Sequence, residues 1–441
     1  MKKILAILLF ISQSTIGQVT LKECVESGLA NKATIKSANT EVVLASLKSI
    51  EAKAKYLPQI SLAYQYRFNP IIATQVVPVG QFSPVPTDEI RGIRFGTNWQ
   101  QDAGLTVFQP IIDLTLRNRV KESKLNESLS GVDLKKAEED LQFEIVKTYS
   151  NALDYAYQMD EAIADTLRSF ESLSIVAARF KEGKVLKTEL NNALVNHNNN
   201  QRSFERAAAS LVNEKIYLHY LTGISLERLL DESLAEIPER LFDSGEASFQ
   251  IESTVDFQRL LFEEELINQQ IKTDRKKYTP VIGLDGFIGA NQFSQQFDPF
   301  LANSWYGISY VGLSVKMPIF GTDKSYNADK QLQTQLVQLD SKKEDLKAEK
   351  SKELLQINTD IKRLAVEISF MENNVTLLKE NVALYRERLL NGQFAAAELN
   401  VQEAELQKVL AQLNQLKAQL NTSRTERLQI TGALGRELKT L

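Results

Sequence analysis

The 441-residue sequence has few of the side chains that build catalytic and metal sites. Its one cysteine, Cys24, excludes an internal disulfide framework. Its two histidines, His197 and His219, leave little for a metal centre. No Walker phosphate loop is present, because Ala178 stands where the motif ahead of the Gly183-Lys184 pair needs a glycine. The sequence therefore predicts a protein that is not an enzyme and has no cofactor.

Long apolar runs and a strong charge imbalance are absent as well. After the N-terminal segment, no stretch has 18 consecutive apolar residues, so no transmembrane helix is predicted. The formal net charge is −4, and no basic block stands out, which argues against nucleic acid as a partner. With 43% hydrophobic and 24% charged residues, the composition is that of a folded protein.

The N-terminus has the pattern of a secretory signal peptide. It combines a positive start, a short apolar core and small residues before a cleavage point, namely Lys2, Lys3, Ile4–Ile11, Thr15 and Gly17. Residues 1–17 are predicted to be removed and the protein exported, with a short buried helix as the alternative. A lipoprotein would need cysteine at the cut, where Gln18 stands, so no acylation is expected.

The rest of the chain contains an internal duplication. Arg179, Gly183 and Glu189 recur 209 positions later as Arg388, Gly392 and Glu398. Other segments recur in the same order: "YLPQISLAYQY" as "YTPVIGLDGFI", "GLTVFQPIIDLT" as "GLSVKMPIFGTD", and "LTG" as "ITG". The duplication predicts one structural repeat over residues 18–223, a connector over 224–252 and a second repeat over 253–441. Each repeat is expected to run helix, strand, loop, strand, long helix, glycine, helix.

Long helices follow from the heptad spacing of apolar residues in each repeat. In the second repeat they alternate three and four apart, at Leu354, Ile357, Ile361, Leu364, Ile368, Met371, Val375, Leu378, Val382, Tyr385 and Leu389, and resume at Leu399. This is the period of a left-handed coiled coil. Gly183 and Gly392 are each expected to end one helix in the left-handed conformation and mark the tip of an antiparallel hairpin. A continuous helix that tolerates the glycine is the alternative.

Four predicted strands alternate with a period of two. They lie at about 58–68, 95–109, 280–290 and 304–317, and each has one apolar or aromatic phase and one small or polar phase. Such strands fit an outer-membrane barrel, although a half-buried sheet of a soluble protein gives the same alternation. The signal peptide favours the barrel. Because four strands cannot enclose a lumen and open edges are not tolerated in lipid, several chains would have to share it.

This pattern resembles the TolC family of outer-membrane efflux proteins over essentially the whole mature chain. The landmarks are the doubled strand–strand–helix–glycine–helix unit, the Tyr-x-Pro entries at Tyr56 and Tyr278, and the glycine turns followed by Glu189 and Glu398. The resemblance implies an α+β fold, mainly α. Long antiparallel coiled-coil helices would form an α-barrel, and each chain of a homotrimer would give four strands to a twelve-stranded transmembrane β-barrel.

The resemblance also implies the partners and the place of the protein. It would be a passive exit duct in the cell outer membrane, in contact with outer-membrane lipid, with a helical tube in the periplasm. A periplasmic adaptor (membrane fusion protein) and an inner-membrane RND or ABC pump would open it. The pathway would be multidrug efflux or type I secretion, and the sequence leaves the exported substrate and the pump class open. Residues 224–252 would belong to an equatorial collar.

The site residues are likewise implied by the resemblance. Arg179, Gly183, Arg388 and Gly392 would form the helix tips where the adaptor docks. Glu189 and Glu398 would form an acidic ring at the pore constriction, which favours cations.

The chain departs from the family pattern beside these tips. Asn192 and Val401 replace a second acid, and Leu389 and Phe394 replace a tyrosine and an arginine that lock the closed iris in some relatives. A solvated helix face, or a favourable helix-dipole position, is the other explanation for the two glutamates. For function, a periplasmic coiled-coil structural or adaptor-type protein is the alternative. Two long hairpins and a cleavable signal argue against it.

Overall fold

The computed structural model describes residues 17–82, 84–85, 87–242, 250–300, 305–319, 326–390 and 396–441. Its residues separate into two compact units. The helical unit takes the chain up to Val42, Leu129–Leu261 and Leu339–Leu441, and the sheet unit takes Val43–Ser128 and Phe262–Gln338. Each unit draws on both predicted repeats, so the units and the repeats divide the chain differently.

Helices dominate the chain. They are α1 (Leu21–Asn31), α2 (Ala33–Ala54), α3 (Leu114–Lys181), α4 (Lys187–Thr222), α5 (Leu226–Asp231), α6 (Val255–Lys276), α7 (Tyr326–Leu390), α8 (Ala396–Ile430) and α9 (Leu434–Lys439). The element order recurs as expected, because α2 and α6 have 22 residues each, α3 and α7 have 68 and 65, and α4 and α8 have 36 and 35. Among the described helices, none combines the length and the apolar content that crossing a membrane requires.

The strands are β1 (Gln18–Val19), β2 (Gln59–Phe68), β3 (Thr74–Val77), β4 (Arg91–Arg94), β5 (Trp99–Ile112), β6 (Ser233–Leu234), β7 (Val281–Ser294) and β8 (Trp305–Lys316). The main sheet has the order β2-β5-β7-β8, with every neighbouring pair antiparallel. The segment after β2 is the loop that the sequence predicts between the first two strands of the first repeat. It contains the hairpin β3–β4, because Thr74–Val77 pairs with Arg91–Arg94.

One core of the helical unit joins the two ends of the described chain to its middle. Residues of α1, α3, α4 and α9 pack with Leu229, Leu241 and Phe242 of the predicted connector. Tyr149 of α3 is fully buried there, and its hydroxyl lies 2.7 Å from the carbonyl oxygens of both Val19 and Ala235. The connector is therefore packed into this core over residues 224–242.

The other core of the helical unit is the predicted heptad seam. Leu364, Ile368, Val375 and Val382 of α7 are buried with seam residues of α8, namely Leu399, Leu406, Val409, Leu413 and Leu420. Val176 of α3 and Ala193 of α4 belong to the same cluster. The seam prediction is confirmed, and it brings the two hairpins into one layer of packed helices.

Candidate functional site

The first hairpin tip is a Schellman turn. The helix α3 ends at Lys181, and Gly183 takes a left-handed φ of 71°. Its N–H donates to the carbonyl oxygen of Phe180, and the N–H of Lys184 donates to that of Arg179, both at 2.9 Å. This pair of hydrogen bonds is the pattern that glycine supports at a helix end. Gly183 therefore has the left-handed conformation that the sequence predicts for it, whereas Gly392 and Phe394 lie outside the described residues.

Alanine at Gly183 should lower the melting temperature of the protein. The left-handed conformation costs a residue with a Cβ about 1–2 kcal/mol, and a Cβ there would meet no atom within 4 Å, so no clash adds to that cost. Gly131→Ala is the matched control, since Gly131 is inside α3 and equally uncrowded. That change should stabilise by about 0.5–1 kcal/mol. If Gly183→Ala and Gly131→Ala changed the melting temperature equally, the left-handed turn at Gly183 would be contradicted.

The two hairpins lie side by side through α4 and α8. Asn196 Nδ2 donates to Glu403 Oε2 at 3.0 Å, and Gln407 Nε2 donates to Asn200 Oδ1. Both pairs are 207 residues apart in the chain, so α4 and α8 run parallel with their first turns nearly level. Glu403 is buried and also lies 3.3 Å from Arg386 of α7.

This pairing places the predicted tip residues at one end of the helical unit. Glu189 is partly buried in the first turn of α4, and Glu398 is exposed in the first turn of α8. Arg179 and Arg388 lie in the last turns of α3 and α7. A carboxylate in a first turn is stabilised by the helix dipole by about 0.3–1 kcal/mol. The placement is therefore compatible with both explanations given for the two acids.

A polar layer between the hairpins was missed from the sequence. Around Asn200 and Gln407 lie Glu161, Asp165 and Asn414, which line a cavity of about 340 Å³. Asn414 Nδ2 donates to Glu161 Oε2 at 3.0 Å. A signal was available, because the run "NHNNN" at 196–200 is too polar for a continuous apolar seam. Within the part of the chain that is described, no cluster of three or more metal-binding side chains occurs.

The main sheet has one apolar face. The strand registers put Leu62 opposite Leu105, Leu105 opposite Ile288, and Leu284 opposite Leu313. The apolar phases predicted for the four strands therefore meet on the same side. We call this side the apolar face; it carries Ile60, Leu62, Tyr64, Tyr66, Phe68, Trp99, Leu105, Val107, Ile282, Leu284, Ile288, Trp305, Val311, Leu313 and Val315.

The opposite side, called the polar face below, holds charged and hydroxyl side chains together with aromatic rings such as the stacked pair Phe287 and Tyr310. Arg67 pairs with Asp102 at 3.1 Å, and Ser61 and Thr106 share a hydrogen bond. Glycine is needed at position 283 because the ring of Phe108 packs over it on this face; a Cβ at Gly283 would lie 2.5 Å from that ring. Both tryptophans of the chain, Trp99 and Trp305, begin strands at the same end of the sheet.

No family model and no curated protein matches this sequence. Solved structures do. The CmeC outer-membrane channel of Campylobacter jejuni is 17% identical with a TM-score of 0.74, and the match covers 96% of this chain and 89% of that one. The outer-membrane protein VceC of Vibrio cholerae is 14% identical with a TM-score of 0.71, covering 93% and 96%. The chain has the TolC-family fold.

An open-state channel has this fold too. The MtrE outer-membrane channel of Neisseria gonorrhoeae is 17% identical with a TM-score of 0.63, and the match covers 94% of this chain and 89% of that one. The resemblance to the TolC family is thus confirmed for the fold. The long helices and the accompanying sheet that it implied are both present.

Proposed function

We propose that this protein is an outer-membrane channel, the passive exit duct of a tripartite efflux pump or type I secretion system. The sheet carries this proposal. Its apolar face is largely exposed in the single chain, at residues such as Leu62, Val311 and Leu313. A side that is apolar along four strands, backed by a polar side, suits strands with lipid on one side and a water-filled lumen on the other.

The proposed channel is a homotrimer. In the described part of the chain, β2 and β8 are the edges of the main sheet, and each pairs on one side only. Unpaired edges are too costly in lipid, so each edge needs a strand from another copy. Pairing β2 of one chain with β8 of the next would close three sheets into a twelve-stranded barrel.

Exposed apolar stripes in the helical unit support the same assembly. One stripe, on α7, consists of Val366, Phe370, Leu377 and Leu384. The other, on α3, consists of Ile163, Leu167 and Phe170. Two different apolar surfaces on one chain favour head-to-tail contacts, which close into a ring when the rotation allows.

The proposed channel lies in the outer membrane and works with an adaptor and an inner-membrane pump. Residues 1–17 would be the signal peptide, 18–223 and 253–441 the two repeats, and 224–252 the equatorial connector. The helices would form a tube in the periplasm. Their tips, with Arg179, Gly183, Arg388 and Gly392, would receive the adaptor, and an inner-membrane RND or ABC pump would supply the energy.

The test is conductance of the detergent-extracted protein in a planar lipid bilayer. Discrete channels that prefer cations are expected, and Glu398→Gln should weaken that preference, because three copies of this acid would face the pore constriction. Glu405→Gln is the control, since Glu405 is an exposed acid further along α8. Equal selectivity in Glu398→Gln and the unmodified channel would remove the acidic ring. A folded protein that remains a soluble monomer and gives no current would contradict the channel itself.

A further inference from the structure

A row of polar side chains crosses the apolar face near its tryptophan end. The register aligns Tyr66, Gln101, Gln292 and Trp305 across the four strands. The two glutamines donate and accept a hydrogen bond between their amides. Gln101 is only 2% exposed and Gln292 only 1%, although Tyr64 and Ile288 of the same face are exposed. Something must therefore cover this row.

The cover is the segment that follows β7, residues 295–300, which we call the strap. The carbonyl oxygen of Asp298 accepts a hydrogen bond of 3.3 Å from Gln101 Nε2. The ring of Phe297 lies 4.9 Å from that of Trp99 and 5.5 Å from that of Tyr66. The strap thus folds back over the apolar face instead of extending beyond the ends of the strands.

Physical chemistry explains this fold-back. An amide that faces hydrocarbon without a partner costs several kcal/mol. Here Gln101 Nε2 donates to Gln292 and Asp298, and Gln101 Oε1 accepts from the Tyr64 hydroxyl at 2.7 Å. The strap adds the Asp298 carbonyl to the partners of Gln101, an amide that the apolar face would otherwise present to lipid.

The outer surface of the strap is aromatic. Phe297 is 63% exposed and Phe300 is 92% exposed. A hydrogen bond of 3.1 Å from the Phe300 N–H to Asp298 Oδ1 holds the turn that carries Phe300. Phenylalanines this exposed are unusual in water. Their surface continues the cluster of Tyr66, Phe68 and Trp99, the kind of aromatic belt that lies at a membrane interface.

We propose that the strap is a lipid-contacting anchor, with Phe300 in the boundary between headgroups and acyl chains of the membrane. This inference rests on the proposed channel function, because it needs the apolar face to meet lipid. It goes further by assigning this loop to the outside of the barrel. A loop held there by Phe297 and Asp298 does not cover the lumen, so it contributes no lid to the channel mouth.

Site-directed spin labelling tests the proposal. Cys24 is the only cysteine and is buried, so Cys24→Ser gives a background for single labels. Labels at Phe300→Cys, Leu62→Cys and Gln65→Cys are compared in the full-length protein in phosphatidylcholine vesicles. Leu62 belongs to the apolar face and Gln65 to the polar face. Collisions with oxygen, which dissolves in lipid, and with a water-soluble nickel chelate report each environment.

The label at position 300 should resemble the one at 62, with high oxygen access and a loss of nickel access relative to position 65. Adding Phe297→Ala should raise nickel access at position 300, whereas Phe82→Ala, in the other long loop, should not. Nickel access at 300 together with oxygen access at 62 would overturn the strap proposal and leave the channel intact. Nickel access at both positions would overturn the channel function as well.

Discussion

Arginine in place of Leu62 should prevent the protein from assembling in a membrane. Leu62 lies on the apolar face, and an arginine that faces lipid near the middle of the bilayer costs about 2–4 kcal/mol. A homotrimer carries the change three times, so the total cost is comparable with the whole stability of many proteins. We expect the variant to stay out of reconstituted vesicles in a flotation assay, where the unmodified protein floats with the lipid.

Ser61→Arg is the matched control for this prediction. Ser61 is adjacent in β2 and therefore at nearly the same depth, but its side chain belongs to the polar face and bonds Thr106. The added arginine would project into the proposed lumen, where water solvates it, so insertion should persist with only the loss of one hydrogen bond, about 1 kcal/mol. If both variants float equally, or both fail equally, the sheet does not lie between lipid and lumen.

The strands and their faces could be predicted from the sequence because side chains that alternate with a period of two can face only one side of the sheet or the other. Once Leu62 and Leu105 are assigned to strands, the pairing in the sheet can bring their apolar phases together or oppose them, and a membrane or a core requires the first. The strap could not be predicted in this way. Residues 295–300 carry no periodicity, and the reason they fold back is a tertiary one, the burial of Gln101 and Gln292.

The helix tips, too, were predictable from the sequence only in part. Glycine is the residue that most readily ends a helix in the left-handed conformation, so the turn at Gly183 could be predicted from the sequence. The contact of α4 with α8 depends on which faces of two separate hairpins meet, and heptad spacing within one hairpin does not determine that. The hydrogen bond between Asn196 and Glu403 could therefore not be predicted, although the polar run around Asn196 interrupts the seam.

Acidic residues in the α7 stripe should leave the chain folded and prevent the proposed homotrimer from forming. Leu377 is 51% exposed and Leu384 is 55% exposed, so neither contributes much to the core of the single chain. Burying each against another copy would contribute up to about 1.5–3 kcal/mol, and a carboxylate would have to be desolvated there instead. The double variant Leu377→Glu with Leu384→Glu should therefore be monomeric, which sedimentation in detergent would detect. Its helical circular dichroism should be unchanged.

The chain offers a matched control one residue earlier at each position. Thr376 and Ala383 are also exposed on α7 and also seven residues apart, but each is rotated about 100° around the helix from the stripe. Thr376→Glu with Ala383→Glu introduces the same charges into the same helix and should leave trimers intact. Trimers in both double variants would show that the stripe is not the subunit contact. Because α7 has a second apolar stripe besides its buried seam, a single copy of this chain leaves its helices only partly covered, and the proposed homotrimer would cover the rest.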